Sequence, residues 1–206
     1  MKLYLITGFL GAGKTTFLKK MISALKGNKL AVIVNEFGKE GMDGELLRPL
    51  QVAVSEIAGG SVFCSCRLDQ FEAELEKVQA MQPDIILVEA SGLSDPGNVE
   101  KILGNPVFSE IEYTGSICIV DAEKFKKVFA TVRVCKKQLS VSRLVLVNKA
   151  DLVDEDMIAE VKETILQTVP DAKVRPTTYG EFKLEWLADA AITGSSEPAY
   201  QTRDIG

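Results

Sequence analysis

Short runs of consecutive apolar residues recur along the chain, separated by longer stretches in which apolar positions come every three or four residues. Continuous runs fit strands buried on both faces, and the wider spacing fits helices that cover them. The predicted strands are Leu3–Thr7, Leu30–Asn35, Val52–Ile57, Asp84–Glu89, Ser116–Asp121, Arg143–Asn148 and Lys173–Arg175. Phe17, Leu18, Met21, Ile22 and Leu25 share one helical face, as do Phe71, Leu75, Val78 and Met81, and Ile158, Val161, Ile165 and Val169. Asp154-Glu-Asp supplies a cap and an acidic first turn to the last of these helices. Strands alternating with helices predict an α/β fold, a mostly parallel sheet with helices on both faces. No internal repeat or low-complexity block is visible. Periodicity is lost at Gly194-Ser-Ser-Glu-Pro-Ala, so residues 1–191 read as one domain and 192–206 as a tail or linker.

Composition narrows the function classes. The chain has 206 residues, 24 basic and 29 acidic side chains and no histidine, for a net charge of −5. This balance argues against a strongly basic nucleic-acid binder. No apolar stretch approaches the roughly 18 residues needed to span a bilayer, so no membrane partner is expected. The apolar start is interrupted by Gly8, Gly11, Gly13 and Lys14, unlike a signal peptide. Four cysteines without an export signal point to free thiols in a reducing compartment, hence the cytoplasm. The lack of histidine excludes a His-based triad or general base.

Gly8-Phe-Leu-Gly-Ala-Gly13-Lys14-Thr15 fits G-x-x-x-x-G-K-[ST], with an apolar strand before it and an amphipathic helix after it. Glycines let backbone N–H groups of Gly11, Ala12, Gly13 and their neighbours through Thr16 wrap a β-phosphate. Lys14 adds a point charge between the β- and γ-phosphates, and the Thr15 hydroxyl can ligate Mg²⁺. The chain therefore reads as a P-loop nucleoside triphosphatase fold. The motif alone leaves open whether phosphate is released or passed to a substrate.

The base is suggested by Leu144-Val-Leu-Val-Asn148-Lys149-Ala150-Asp151, an apolar strand ending in N-K-x-D. A carboxylate at Asp151 can accept hydrogen bonds from both N1–H and the exocyclic amine of guanine. Adenine offers neither donor there and would leave the carboxylate desolvated and unpaired, a penalty of several kcal/mol. The Lys149 stem can cover one face of the base, and the Asn148 amide can tie this loop to the phosphate cradle. Thr177-Thr-Tyr-Gly180 falls where a second base-contacting loop would lie, with Thr177 as its first contact.

Asp84-Ile-Ile-Leu-Val-Glu89-Ala-Ser-Gly92 is a strand ending in E-x-x-G. Glu89 can hold the hydrated Mg²⁺, and the Gly92 N–H can approach the γ-phosphate and change conformation when that group leaves. Asn35-Glu36-Phe-Gly-Lys-Glu40-Gly-Met-Asp43 is rich in acids and glycines and reads as a switch segment or a solvated loop.

Together these residues resemble the CobW, HypB and UreG family of metal-handling P-loop GTPases, and within it the CobW-like branch. The resemblance rests on GFLGAGKTT at 8–16, VNEFGKEGMD at 34–43, EASGLSDP at 89–96 and NKAD at 148–151, and spans nearly the whole chain. It implies a SIMIBI-type GTPase fold, slow Mg²⁺-dependent GTP hydrolysis, and delivery of a metal or cobalamin-type metal cofactor to a client metalloenzyme or cofactor-assembly protein. The branch usually carries a Gly-Cys-x-Cys-Cys metal motif after the third strand. Here the stretch is Gly60-Ser-Val-Phe-Cys64-Ser-Cys66, in which only Cys64 falls on a cysteine of that motif. The fifth residue of the usual N-E-F-G-E run is Lys39, with Glu40 next to it. A second, C-terminal domain is common in that branch, and these 206 residues stop about where it would begin.

Cys64 and Cys66 are close enough in sequence to share one soft ion such as Zn²⁺. Two thiols do not complete a tetrahedral site. Glu36 or Glu40 can add oxygen ligands, or a second subunit can donate its own pair in a GTP-dependent homodimer. Cys118 and Cys135 read as core or surface residues. Three functions stay open at this stage. The first is a GTPase switch whose catalysis comes from Lys14, Glu89 with its Mg²⁺, and backbone donors. The second is a small-molecule kinase. The third is a module that holds GTP with negligible hydrolysis and acts by association.

Overall fold

The computed structural model describes residues 1–34, 52–56, 68–92 and 96–190. Its strands are β1 (Lys2–Thr7), β2 (Leu30–Val34), β3 (Val52–Glu56), β4 (Ile85–Glu89), β5 (Glu112–Asp121), β6 (Leu144–Asn148) and β7 (Lys173–Pro176). They form one parallel sheet in the order β3-β2-β4-β1-β5-β6-β7. The helices are α1 (Lys14–Ala24), α2 (Leu68–Ala80), α3 (Asn98–Leu103), α4 (Phe125–Thr131), α5 (Arg133–Ser140), α6 (Glu155–Thr168) and α7 (Trp186–Ala190).

The predicted strands are present, with β5 starting four residues earlier than its apolar run suggests. Glu112 and Tyr113 continue it because they still pair with Lys2 and Leu3 of β1. Alternate residues of the central strands enter opposite cores, since successive Cβ atoms point to opposite faces. On one face Tyr4 and Ile6 of β1, Ile117 and Ile119 of β5, and Leu144 and Leu146 of β6 pack on Phe17, Leu18, Met21 and Ile22 of α1 and Leu187 of α7. On the other, Leu3 and Leu5 meet Phe71, Leu75 and Val78 of α2. Further along that face, Cys118, Val120, Val145 and Val147 meet Phe125 of α4, Leu139 of α5, and Val161 and Ile165 of α6. Each fully buried aliphatic or aromatic side chain contributes about 1.5–3 kcal/mol relative to exposure.

Four helices go beyond the sequence reading. α3, α4 and α7 are short, with five to seven residues each, so they carry less than two turns of periodic signal. α5 buries Cys135, Gln138 and Leu139, and the polar Gln138 interrupts the apolar pattern. α6 begins as predicted, with the Asp154 carboxylate accepting from the Met157 N–H at 2.8 Å. Among the described residues no helix is long and apolar enough to cross a membrane. The predicted tail, residues 192–206, lies outside the described residues.

The topology decides where a ligand can sit. The chain leaves β1 toward the β4-β2 side, returns through β4, and then crosses β1 to reach β5. The carboxyl ends of β1, β4, β5 and β6 thus converge at a switch point, where crevices open in α/β sheets.

Candidate nucleotide site

The turn between β1 and α1 is built by its glycines. Gly13, the cap of α1, has φ 101°, a left-handed conformation that costs a residue with a Cβ about 1–2 kcal/mol. A Cβ there would also stand 2.3 Å from the Asn148 side-chain nitrogen. Directly after it, Lys14 opens α1 and is 8% exposed. Its ammonium donates to the Phe9 carbonyl at 3.3 Å. Burial holds this lysine below the usual range, while the nearby Glu89 carboxylate pulls it back upward. A desolvated cation beside the exposed N–H groups of a helix start forms an anion site.

Glu89 ends β4, which lies beside β1 in the sheet with Glu89 paired to Ile6. Its Oε1 accepts from the Thr15 hydroxyl at 3.0 Å. Burial raises the Glu89 carboxyl above the ordinary carboxylate range, and Lys14 and the Thr15 hydrogen bond oppose that rise. A cleft of about 460 Å³ opens here between the glycine-rich turn and the residues after β4. Lys14, Thr15, Thr16, Glu89 and Gly92 all line it. Gly92 is there because nothing larger fits: an added Cβ would lie 2.6 Å from the Leu10 backbone nitrogen. The chemistry of Thr15 and Glu89 suits Mg²⁺, which prefers hard oxygen ligands and keeps phosphate oxygens among them. Both oxygens are on one wall of the cleft, so the residues present fit that ion.

The second half of the site is joined to the first by Asn148, 3% exposed at the end of β6. Its Nδ2 donates to the Ala12 carbonyl at 2.9 Å, and its Oδ1 accepts from the Gly180 N–H at 3.1 Å. One side chain therefore holds the glycine-rich turn and the 148–151 loop together, as its sequence context suggests, and adds the 177–180 loop, a link the sequence did not indicate. The Ala150 N–H donates to the Thr177 carbonyl at 3.1 Å, and the Thr177 N–H donates to the Val147 carbonyl at 2.9 Å. Thr177 thus lies against the N-K-x-D segment, with its hydroxyl donating to the Glu181 carbonyl at 2.9 Å. Lys149 takes the left-handed φ of 62°, and Asp151 is exposed in the 3₁₀ turn that follows.

Asp121 escaped the sequence reading. At the carboxyl end of β5 it accepts from the Lys149 ammonium at 2.5 Å and from the Glu123 and Lys124 N–H groups. The pair fixes the direction of the Lys149 stem. An acid closing an apolar strand was the available signal, the same one that marks Glu89. Gln138 was also missed: from α5 its buried amide donates to the Gly92 carbonyl at 3.2 Å.

The proposed metal ligands Glu36, Glu40, Cys64 and Cys66 lie outside the described residues. Among the described residues no group of three or more Cys, Asp or Glu side chains stands ready to hold a metal. Cys118 and Cys135 are buried and unpaired thiols, with burial pushing Cys135 up to about 11. They behave as core residues, as expected.

Residues 2–176 match the family model described as the CobW/HypB/UreG nucleotide-binding domain. The chain is 30% identical to the zinc chaperone CobW of Pseudomonas aeruginosa over 97% of its length, covering 64% of that protein. It is 29% identical to the zinc-regulated GTPase metalloprotein activator 1 of Schizosaccharomyces pombe over 85% of its length, covering 45% of that protein. The chain thus spans about half to two thirds of the length of these relatives. In structure it resembles the crystal structure of Zn(II)-bound YjiA GTPase from E. coli, with a TM-score of 0.68. That match has 23% identity and covers 91% of this chain and 60% of the other, a shared fold.

Proposed function

Because the chain belongs to the CobW/HypB/UreG family through its nucleotide-binding domain, we propose that it binds and slowly hydrolyses GTP and works as a switch in metal delivery. One observation carries this reading: the Thr15 hydroxyl and Glu89 carboxylate meet at 3.0 Å beside the buried Lys14 ammonium. Asn148 ties that cradle to the N-K-x-D loop, so phosphates and guanine can be read by one connected unit.

In this mechanism Lys14 and the backbone N–H groups around Gly13 bind and orient the β- and γ-phosphates. Water attacks the γ-phosphorus, the bond to the bridging oxygen of GDP breaks, and inorganic phosphate leaves. The Lys14 charge and the loop donors stabilise the negative charge that develops on the transferred group. Thr15 and Glu89 would hold Mg²⁺, which when bound neutralises phosphate charge. Asp151 accepts from guanine, and Asp121 steadies Lys149 at the base. Gly92 senses the γ-phosphate through its N–H. With no histidine in the chain to act as general base, unaided turnover is slow.

The cargo is a transition metal or a cobalamin-type metal cofactor, held by Cys64 and Cys66 with Glu36 or Glu40. A client enzyme receives it when hydrolysis releases the switch segments. The names of the two relatives make zinc the first metal to test. Calorimetric titration with GTP, GDP and ATP, alongside phosphate release and metal analysis, tests the reading. Expected are GTP preference over ATP by at least about a hundredfold and a metal stoichiometry that differs between GDP and a non-hydrolysable GTP analogue. Equal affinity for ATP and GTP would overturn the base assignment. Stoichiometry unchanged by nucleotide, or by Cys64→Ser with Cys66→Ser, would overturn the cargo assignment.

A further inference from the structure

Charge is not evenly spread along this acidic chain. From Lys124 to Lys149 there are eight basic residues and no acidic one, a third of the chain's 24 basic side chains. The helices α4 and α5 carry most of them, and Lys124, Lys126, Lys127, Arg133, Lys136 and Lys137 are all exposed. Lys126 is paired with Glu160 of α6, and Lys136 lies over the Phe129 ring at 5.0 Å. Lys124, Lys127 and Arg133 have no acidic partner among the described residues. Clustering like charges raises the energy of the folded protein, which makes an unneutralised group of cations in a chain of net charge −5 informative.

An apolar pocket of about 50 Å³ lies beside these cations. Phe9, Leu10, Phe125, Val128 and Cys135 line it together with Lys124, and the one carboxylate in its lining, Asp121, is already engaged by Lys149. Leu10 is 72% exposed, a large apolar side chain left in water at the mouth of two cavities, since it also lines the nucleotide cleft. Lys124, the N-cap of α4, lies three and four residues before Lys127 and Val128 in the helix, so the three share one face. An apolar socket rimmed by cations fits a segment that offers the reverse.

We propose that the α4–α5 face docks an acidic peptide segment of a partner protein, with one aliphatic side chain seated in the Leu10–Val128 pocket. Charge complementarity sets the occupant: Lys124, Lys127 and Arg133 neutralise its carboxylates, and the apolar contact fixes its register. A peptide fits better than nucleic acid, because the aromatic rings are not exposed as stacking surfaces: Phe125 is buried and Phe129 is half-buried under Lys136. The position suits a partner that attends to the nucleotide. The segment would touch Leu10 of the phosphate-type turn, and α5 is tied to Gly92 through Gln138. The docking itself requires no nucleotide, so it stands or falls apart from the GTPase reading.

Fluorescence anisotropy on the full chain tests it with a short labelled peptide of Glu and Asp around a single central Leu. Expected is saturable binding that weakens with added salt, as the surface charges are screened over a Debye length of about 10 Å at 0.1 M. Replacing the peptide leucine by serine weakens it, and the all-lysine counterpart does not bind. The triple variant Lys124→Glu, Lys127→Glu, Arg133→Glu loses about tenfold or more in affinity, with circular dichroism and GTP affinity reporting that it remains folded. Val128→Arg, which fills the pocket and adds a cation, abolishes the preference for leucine over serine while leaving the salt dependence. Equal affinity of the wild type and the triple variant would overturn the proposal. So would tighter binding of oligothymidylate or of phosphatidylserine vesicles than of the acidic peptide, which would give the surface to a nucleic acid or a membrane.

Discussion

Asn148→Ala is the most direct test of how the site is assembled. The side chain is almost fully buried and makes two hydrogen bonds, one to the Ala12 carbonyl and one from the Gly180 N–H. Truncation leaves both backbone groups without that partner in a place where water enters poorly. Each orphaned buried group costs about 1–3 kcal/mol, so the loss is about 2–4 kcal/mol once partial relaxation is allowed. For a domain of this size each kcal/mol shifts the midpoint by about 2–4 °C, giving a fall of about 4–16 °C in thermal unfolding without nucleotide. The same change frees the phosphate-type turn from the base loops, so GTP affinity falls further than stability alone requires. Asn148→Asp separates the two bonds. Its carboxylate still accepts from Gly180 but now faces the Ala12 carbonyl with no donor, so it behaves as badly as alanine or worse. Differential scanning fluorimetry and titration calorimetry on the three proteins measure this. If Asn148→Ala unfolds within a degree of the wild type and binds GTP equally, the clamp is not what holds the two halves together.

Other changes probe the remaining contacts. Lys14→Ala removes the one cation that lines the glycine-rich cleft among the described residues, and GTP affinity drops by about 1.5–3 kcal/mol or more, roughly ten- to a hundredfold, in equilibrium binding. Asp151→Asn weakens GTP but gains a xanthine nucleotide, whose 2-oxo group accepts from the new amide; competition binding distinguishes the two, and a uniform loss for both bases would place the base elsewhere. Asp121→Ala frees Lys149 and strips the acceptor from the Glu123 and Lys124 N–H groups, costing about 1–3 kcal/mol in chemical denaturation and weakening guanine more than triphosphate. Glu89 supplies a pH test, since its carboxyl is raised chiefly by burial. Its protonated form is favoured by folding, so its contribution to stability is full below the ordinary carboxylate range and is lost as pH rises through the raised value. Mg²⁺ needs the ionised form, so Mg²⁺-dependent nucleotide affinity falls as pH drops through that raised value, and Glu89→Gln flattens that profile.

The sheet was legible because its strands are buried on both faces and therefore read as unbroken apolar runs, Ile85–Val88 being one. The glycine-rich turn between β1 and α1 was legible because its demands fall on contiguous residues: glycine conformations, one lysine, one hydroxyl. The bond from Asn148 to the glycine-rich turn at Ala12 was anticipated from the N-K-x-D pattern, whereas its second partner, Gly180, was not. Asp121 and Gln138 were not found, because each acts across the fold on a residue that gives no local sign of needing it. A lone acid after an apolar strand has many uses, and a glutamine inside a helix reads as surface. The short helices α3 and α4 were missed for want of turns, since fewer than two turns give periodicity little to repeat. The thiols at 64 and 66 lie outside the described residues, so their role rests on the resemblance.

The place of β1 in the sheet has a consequence for biosynthesis. β1 sits at the centre of the sheet, and both of its neighbours, β4 and β5, come much later in the chain. Until Asp121 has emerged, Leu3, Leu5 and Ile6 have no complete surface to lie against, and the turn that follows them has no frame. Such non-local pairing closes slowly and leaves apolar edges exposed meanwhile. Nascent chains arrested before β5 should therefore stay protease-sensitive and fail to retain nucleotide, whereas chains in which residues through Ala190 have emerged should resist protease and retain it.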